Sequence, residues 1–481
     1  MELFEKVSVA AATTTTPPAK ASFAKPALFG DFPEVPVDKR YRTVTKFSFE
    51  TVMDTTQAAQ DFCTTLWGQD RNIASAEMIR WVSSAIAPRF VMTDFGTVLA
   101  TWQGVTVGDF AITDGSATEQ FATGTFASVS DLDDIAAVIQ AKIRTSSSFA
   151  ADLSAAVVGF DALGRMYFET ATPGEAATTY TIIAPAGGAG TDITTENFLN
   201  IASRAFVVAG MDAEDPDDAL ADVVANHRAA SFYTVHETGA SASQAQALAV
   251  AARIYRKMAM FDISDVLAKD SSSTTDLAYL LHAASVDAYG VYNEHSGSYG
   301  KSCAAANGQI LPRDAGSASL ANKQLKNIYE SGLGADGSSV IPLTATERGV
   351  LDAKGCDYLV NPTGALLHLE RGLLFSGLEF KTRWGLDWWE YLSAVEIAGY
   401  LYNNEVTFSD IDIATIVGIL TKNLDILINR TCLESYTVTI PKAADISAAI
   451  KATHHLTLND VAQGIAAYAV NTVAASIQVQ A

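Results

Sequence analysis

Apolar positions recur along this chain with two periods, every third or fourth residue in some stretches and every second in others, and these periods predict its elements. Residues 55–67 place Ala58, Phe62 and Leu66 at helical spacing, and 78–82 read as a strand. From 86 to 205 the pattern is that of an α+β module. It predicts a helix at 94–103, strands at 107–113 and near 121–126, and a helix with Leu132, Ile135, Ile139 and Ile143 on one side. Ser130 is the expected N-cap of that helix. Segments 157–160 and 165–170 flank a short turn and predict a hairpin, and 179–184 supplies a last strand.

Between 206 and 370 strand-like runs (231–235, 258–263, 290–292) alternate with helix-like runs (217–227, 243–256, 274–284). Such alternation predicts βαβ units in a mostly parallel sheet. The final part, 371–481, predicts a strand at 373–381 and a helix at 387–402 with Trp388, Leu392, Val395 and Gly399 on one side. A second helix runs from a Ser409 cap to Asn429, and a strand at 436–440 stops at Pro441. The fold class is a mixed α+β and α/β multidomain chain. Its parts are an arm and linker (1–30), the start of a core (31–85), an inserted module (86–205), an α/β middle domain (206–370) and a C-terminal core domain with a terminal strand (371–481).

Both ends of the chain alternate like short strands. At the start these are Phe4, Lys6, Val7, Ser8 and Val9, followed by an Ala/Thr/Pro linker; at the end they are Ser476, Ile477, Gln478 and Val479. A lone strand leaves its backbone groups unpaired, so each must add to a sheet edge, and a neighbouring copy offers one. The aromatic set Trp384, Trp388 and Trp389 sits at helical spacing and suits a core or a subunit interface.

Composition narrows the function. The chain has 481 residues, 49% of them hydrophobic, and a net charge of −22. That is ample material for several cores, and the charge argues against nucleic acid as the main partner. No apolar run approaches the about 20 residues needed to span a membrane, and the N-terminus lacks a secretory pattern. Four dispersed cysteines form no CxxC, and a disulfide or zinc framework is not expected.

Signals for chemistry fail one by one. Gly300-Lys301-Ser302 ends like a P-loop, but His295 stands where the motif needs glycine. Gly187–Gly190 reads as a turn. The acids between Asp212 and Asp218 are interrupted by Pro216 and read as a helix start rather than a calcium loop. None of the seven histidines forms HExxH, adjacent His454 and His455 point to opposite faces of a strand, and GxSxG is absent. The expectation is a structural protein, not an enzyme, with no cofactor.

Four C-terminal stretches then carry a resemblance. Residues 345–360 (ATERGVLDAKGCDYLV), 373–392 (LLFSGLEFKTRWGLDWWEYL), 405–413 and 436–445 (YTVTIPKAAD) resemble, in order, elements of the tail-sheath family of contractile-tailed bacteriophages. The module at 94–185 resembles a sheath insertion. Residues 271–330 match no part of that pattern, and the chain ends without the family's frequent His-containing strand. The resemblance implies a core built from both chain ends with outer modules inserted, and hexameric rings stacked around a tail tube. It implies arms that exchange strands between copies, and contraction triggered at a baseplate. The implied partners are further copies of the chain, the tube protein, and baseplate and terminator proteins. The place is the virion tail, after synthesis in the host cytoplasm. Another virion tail component is the alternative, and a soluble α/β enzyme comes third.

Overall fold

A computed structural model describes residues 23–36, 38–53, 56–71, 73–93, 95–161, 163–202, 205–227, 229–361, 367–440, 442–448 and 462–466. The chain divides into two units. One is drawn from Met1–Phe29, Thr43–Met78 and Leu220–Ala481, the other from Gly30–Arg42 and Ile79–Ala219.

The first unit is organised by an eight-stranded sheet. Its spatial order is His368–Leu369, Asp357–Val360, Ala288–Tyr292, Met258–Ile263, Thr234–Glu237, Pro26–Gly30, Ala76–Arg80 and Tyr41–Val44. Pairings from Pro26 through Thr234, Met258 and Ala288 to Asp357 are all parallel, and His368–Leu369 closes that edge antiparallel. Ala288–Tyr292 is buried at every position and Met258–Ile263 at all but one, as expected of parallel strands covered on both faces. The crossovers include helix Ala242–Ile254, started by a Ser241/Gln244 capping box, and helix Leu277–Ala283, capped by Asp276. The parallel strand pairing foreseen from the alternation is therefore present. The sheet also takes in Pro26–Gly30, a segment that its sequence neighbours had placed in a linker.

Residues 373–381 do not form the expected strand. The Leu374 and Phe375 amides donate to Leu378 (2.8 Å) and Ala288 (2.9 Å) carbonyls, and Gly377 turns the chain at φ +86°. This tight turn buries Leu374 and Phe375, and the helix that follows runs from Phe380 to Asn403 with Glu379 at its N-cap position. The second helix, Asp410–Asn429, starts where the sequence placed it, with the Ser409 hydroxyl accepting from the Asp412 amide.

The second unit holds two small sheets. In one, Gly108–Thr113 pairs with Thr118–Ala122, Thr181–Ile183 and Thr191–Asp192; in the other, Phe206–Val208, Arg89–Met92, Met166–Glu169 and Val157–Phe160 form an antiparallel set. Trp102, Phe110, Phe126, Ile135, Ile139 and Phe168 fill its core. The 94–103 helix is shorter than expected, Leu99–Gln103; before it the Gly96 amide donates to the Phe198 carbonyl. The strand near 121–126 ends at Ala122, after which Phe126 turns back to the Val105 carbonyl. The N-cap of helix Leu132–Ile143 is Asp131, not Ser130; Ser130 instead donates through both its amide and its hydroxyl to Asp134 at 2.7 Å. The segment Gly30–Arg42 is fastened within this unit by two forks. Arg40 grips Glu214 at 2.6 and 2.7 Å, and Arg165 grips Asp38 at 2.8 and 3.1 Å.

Candidate assembly surface

Helices Phe380–Asn403 and Asp410–Asn429 form a hairpin. At 1.5 Å per residue they extend about 36 and about 30 Å. Trp389, Ala394, Ile397, Ile416, Leu424 and Leu427 form its core. Polar ties run along the seam: Ser393 to Asn423 (3.1 Å), Glu396 to Lys422 (2.7 Å) and Tyr400 to Asp412 (2.8 Å).

Two of the three tryptophans, Trp384 and Trp389, are buried. Trp384 is fully buried with its ring 6.1 Å from Phe380, and Trp389 is buried and donates its indole N–H to the Leu420 carbonyl at 3.2 Å. Trp388 is half-buried under the Arg430 guanidinium, 4.3 Å from the ring centre. Leu392, Val395 and Gly399 do share one side of the helix, but they are only half-buried, and the buried positions here are Trp389, Ser393, Ala394, Ile397 and Ala398. The long helix also buries Lys381, Arg383, Asp387 and Glu390, so apolar spacing alone does not mark its buried stripe.

A buried ion cluster roots the long helix. Asp387 accepts from Tyr233 Oη (2.9 Å), Arg253 (3.2 Å) and Arg383 Nε (3.1 Å), and Arg256 pairs with Glu390. Burial alone would raise the Asp387 carboxyl, but the Arg383 and Arg253 guanidiniums override it and hold the group below the ordinary carboxylate range. Lys257 lies beside this cluster, donating to the Phe232 carbonyl with its ammonium 4.6 Å from the Phe232 ring. Burial pushes it down to about 7, against a partial pull from Asp387.

The sign of that shift gives a pH prediction. Between about 7 and 10 the unfolded chain holds the Lys257 proton while the folded chain has released it. Stability should therefore rise with pH across that window, by up to about 1.4 kcal/mol per pH unit. Lys257→Met should flatten the slope in denaturant titrations at a series of pH values.

Beyond the hairpin, Leu433–Val438 and Ala462–Ala466 pair antiparallel as a two-stranded ribbon, with a register irregularity at Glu434. Tyr436 ties it to Asp425 of the second helix at 2.5 Å. Each strand keeps one edge without a strand partner among the described residues, and Ile440 and Ile465 are more than half exposed. A two-stranded ribbon is marginal alone, and an open edge is a template for another strand. The arm residues Phe4, Lys6, Val7, Ser8, Val9, Ser476, Ile477, Gln478 and Val479 lie outside the described residues, as do His454 and His455.

The motif-like segments have structural uses. Gly297–Gly300 is a single 3-10 turn leading into helix Ser302–Ile310, and the Cys303 amide in its first turn donates to the Asp262 carboxylate at 2.7 Å. A carboxylate already occupies the place a phosphate would take. Gly188 and Gly190 close around Asp109; a Cβ on Gly188 would stand 2.0 Å from its Oδ2. Pro216 opens helix Pro216–Asn226, and Glu214 is committed to Arg40. All four cysteines are free and buried. Burial pushes the thiols of Cys63, Cys303 and Cys356 up, and that of Cys432 up to about 11, so they stay protonated at neutral pH. Among the described residues no cluster of His, Cys, Asp and Glu is arranged to hold a metal ion, and no helix is long and apolar enough to cross a membrane.

Comparison with known proteins bears on residues of the second unit. Residues 85–205, within the second unit, match the family model of the insert domain of the E217 tail sheath protein gp31. The tail-sheath resemblance read from the sequence is thereby shown at this module. No curated protein sequence matches the chain. Among solved structures, a sheath tail protein from Listeria innocua is similar at 9% identity and a TM-score of 0.39, covering 89% of this chain and 90% of its own. Another, from Desulfitobacterium hafniense, is similar at 10% identity and a TM-score of 0.41, covering 89% and 93%.

Proposed function

We propose that the chain is the structural subunit of a contractile phage tail sheath. In this reading it assembles as stacked hexameric rings around the tail tube. Contraction, triggered at the baseplate, then drives the tube through the host envelope. The observation that carries the reading is the family match over residues 85–205. The ribbon Leu433–Val438/Ala462–Ala466 supports it, because its open edges can accept strands from neighbouring copies. The terminal strands at Phe4–Val9 and Ser476–Val479 are the strands to be exchanged.

Each exchanged arm contributes a few backbone hydrogen bonds at about 1 kcal/mol net apiece. That is weak singly and large when repeated around every ring. The linker between arm and body lets copies reorient without releasing the strand. The energy of contraction comes from a difference in buried contact between two packed arrays, and a nucleotide is not required.

Negative-stain electron microscopy of the concentrated protein tests the reading, with hollow, helically striated cylinders as the expected result. Deleting residues 1–16 or 472–481 should leave a folded monomer, with an unchanged melting curve, that forms no cylinders. Normal cylinders from both truncations would rule out strand exchange as the link.

A further inference from the structure

We propose that Arg71, Arg313 and Lys323 form a binding site for a compact phosphate-bearing anion, an inference that does not depend on the assembly reading above. All three belong to the first unit. Helices Gln57–Trp67 and Ser302–Ile310 approach so closely that a Cβ on Gly308 would stand 2.3 Å from the Leu66 carbonyl and 2.7 Å from Gln69 Cγ. Arg71 follows the first of these helices and Arg313 the second. Arg313 is anchored twice, its amide donating to the Ile310 carbonyl at 3.0 Å and its Nε to the Gln309 carbonyl at 3.3 Å. Gln69 also holds the third segment in both directions. Its Nε2 donates to the Lys326 carbonyl at 2.7 Å, and its Oε1 accepts from the Lys326 amide at 2.9 Å. Three residues earlier, the Lys323 carbonyl accepts from the Leu369 amide at 3.3 Å. The three cationic side chains are thus carried on segments that are tied to one another.

No acid neutralises them. Among the described residues none of the three takes part in an ion pair. The acids beside them in the chain turn elsewhere: Asp70 pairs with Lys326 at 2.5 Å, and the exposed Asp314 lies 3.9 Å from Arg430. The charges that act on Lys323 are those of Arg313 and Arg71, and after burial they help to hold its ammonium below its usual value. Burial and then Arg71 act on Arg313 in the same direction.

Like charges held together cost stability, and a chain with 54 acids against 32 bases has carboxylates to spare for such a place. An anion from outside supplies what the chain withholds. The two guanidiniums offer paired N–H donors that match phosphate oxygens, and the ammonium adds a point charge. Arg313 and Lys323 are partly buried and Arg71 is exposed, so the anion can enter and shed part of its water. Three cations at one place suit a compact anion, whereas a nucleic-acid backbone needs a stripe of them.

Calorimetric titration of the full chain with inorganic pyrophosphate tests the site, with citrate and with sodium chloride of equal ionic strength in parallel. Pyrophosphate should bind saturably and more weakly as salt rises, and chloride should not reproduce its heat. Arg313→Gln and Lys323→Gln should each weaken the binding about tenfold. Lys422→Gln, which removes an exposed lysine paired with Glu396, should leave it unchanged. Without anion, Lys323→Gln should melt no lower than the parent, because it removes a like-charge repulsion. If either variant fails to fold, the exposed Arg71→Gln carries the same test. Absence of saturable binding, full binding in the variants, or equal weakening by Lys422→Gln would overturn the site. Citrate binding as tightly as pyrophosphate would overturn the phosphate assignment. A chain that forms no cylinders yet binds pyrophosphate in this pattern would sink the assembly reading and leave the anion site standing.

Discussion

Asp387→Ala should destabilise the first unit by about 3–5 kcal/mol, the cost of removing one partner from a buried ion cluster. The carboxylate is 2% exposed and receives Tyr233, Arg253 and Arg383. Its removal leaves the Tyr233 phenol without its acceptor and leaves Arg253 and Arg383 with only the more exposed Asp287, at 3.4 and 3.8 Å, to share, while Glu390 is already taken by Arg256. Asp387→Asn keeps an acceptor for the phenol but not the charge, and should fall between alanine and the parent. Urea unfolding followed by tryptophan fluorescence measures this, since Trp384, Trp388 and Trp389 lie on the same helix. The pH dependence gives a second reading. The folded carboxyl is held below its ordinary value, so its contribution is complete above about pH 4 and fades as pH falls further. The alanine variant should therefore lose less stability on acidification than the parent. A loss under about 1 kcal/mol at neutral pH would mean that the arginines find other acceptors and that the cluster does not anchor the helix.

The parts of this fold that were legible in the sequence are those in which local pattern and burial agree. Met258–Ile263 and Ala288–Tyr292 are short apolar runs between helices, and a parallel sheet follows from them. Ser409 and Asp412 mark a helix start by local hydrogen bonding alone, which the sequence displays directly. Pairings between distant segments were hidden. Pro26–Gly30 sits beside Thr234–Glu237 across more than 200 residues, and no local period announces that. The apolar run 373–380 carries β-propensity, but the glycine at 377 and the anchoring of Phe375 to Ala288 turn it into a tight bend. The candidate surface was half visible. The ribbon strand was read from alternation. The spacing of Leu392, Val395 and Gly399 put them on one side of the helix, but not their half-burial, because a helix that carries apolar and buried charged residues around its circumference gives no direction until its neighbours are placed.

In the second unit the largest effect should come from Trp102→Ala, about 3–5 kcal/mol for emptying the site of a fully buried indole. Trp102 has no exposed surface. Its ring lies 4.9 Å from Phe198 and 5.1 Å from Phe126, and its N–H donates to the Gly96 carbonyl at 2.7 Å. The alanine variant loses this packing and also leaves the half-buried Gly96 carbonyl without its donor. Trp102→Phe, which refills most of the space but cannot donate, separates the two contributions: recovery of most of the loss assigns it to packing, and little recovery assigns it to the hydrogen bond. The readout is differential scanning calorimetry, because the chain has two units with separate cores and need not unfold in one step. A lowered first transition, with the tryptophan signal of the long helix unmoved, would show that the module matching the sheath insert folds on its own core. One transition shifting as a whole would show instead that the two units unfold together, and the insert would then have to be treated as part of the body that carries the assembly surface.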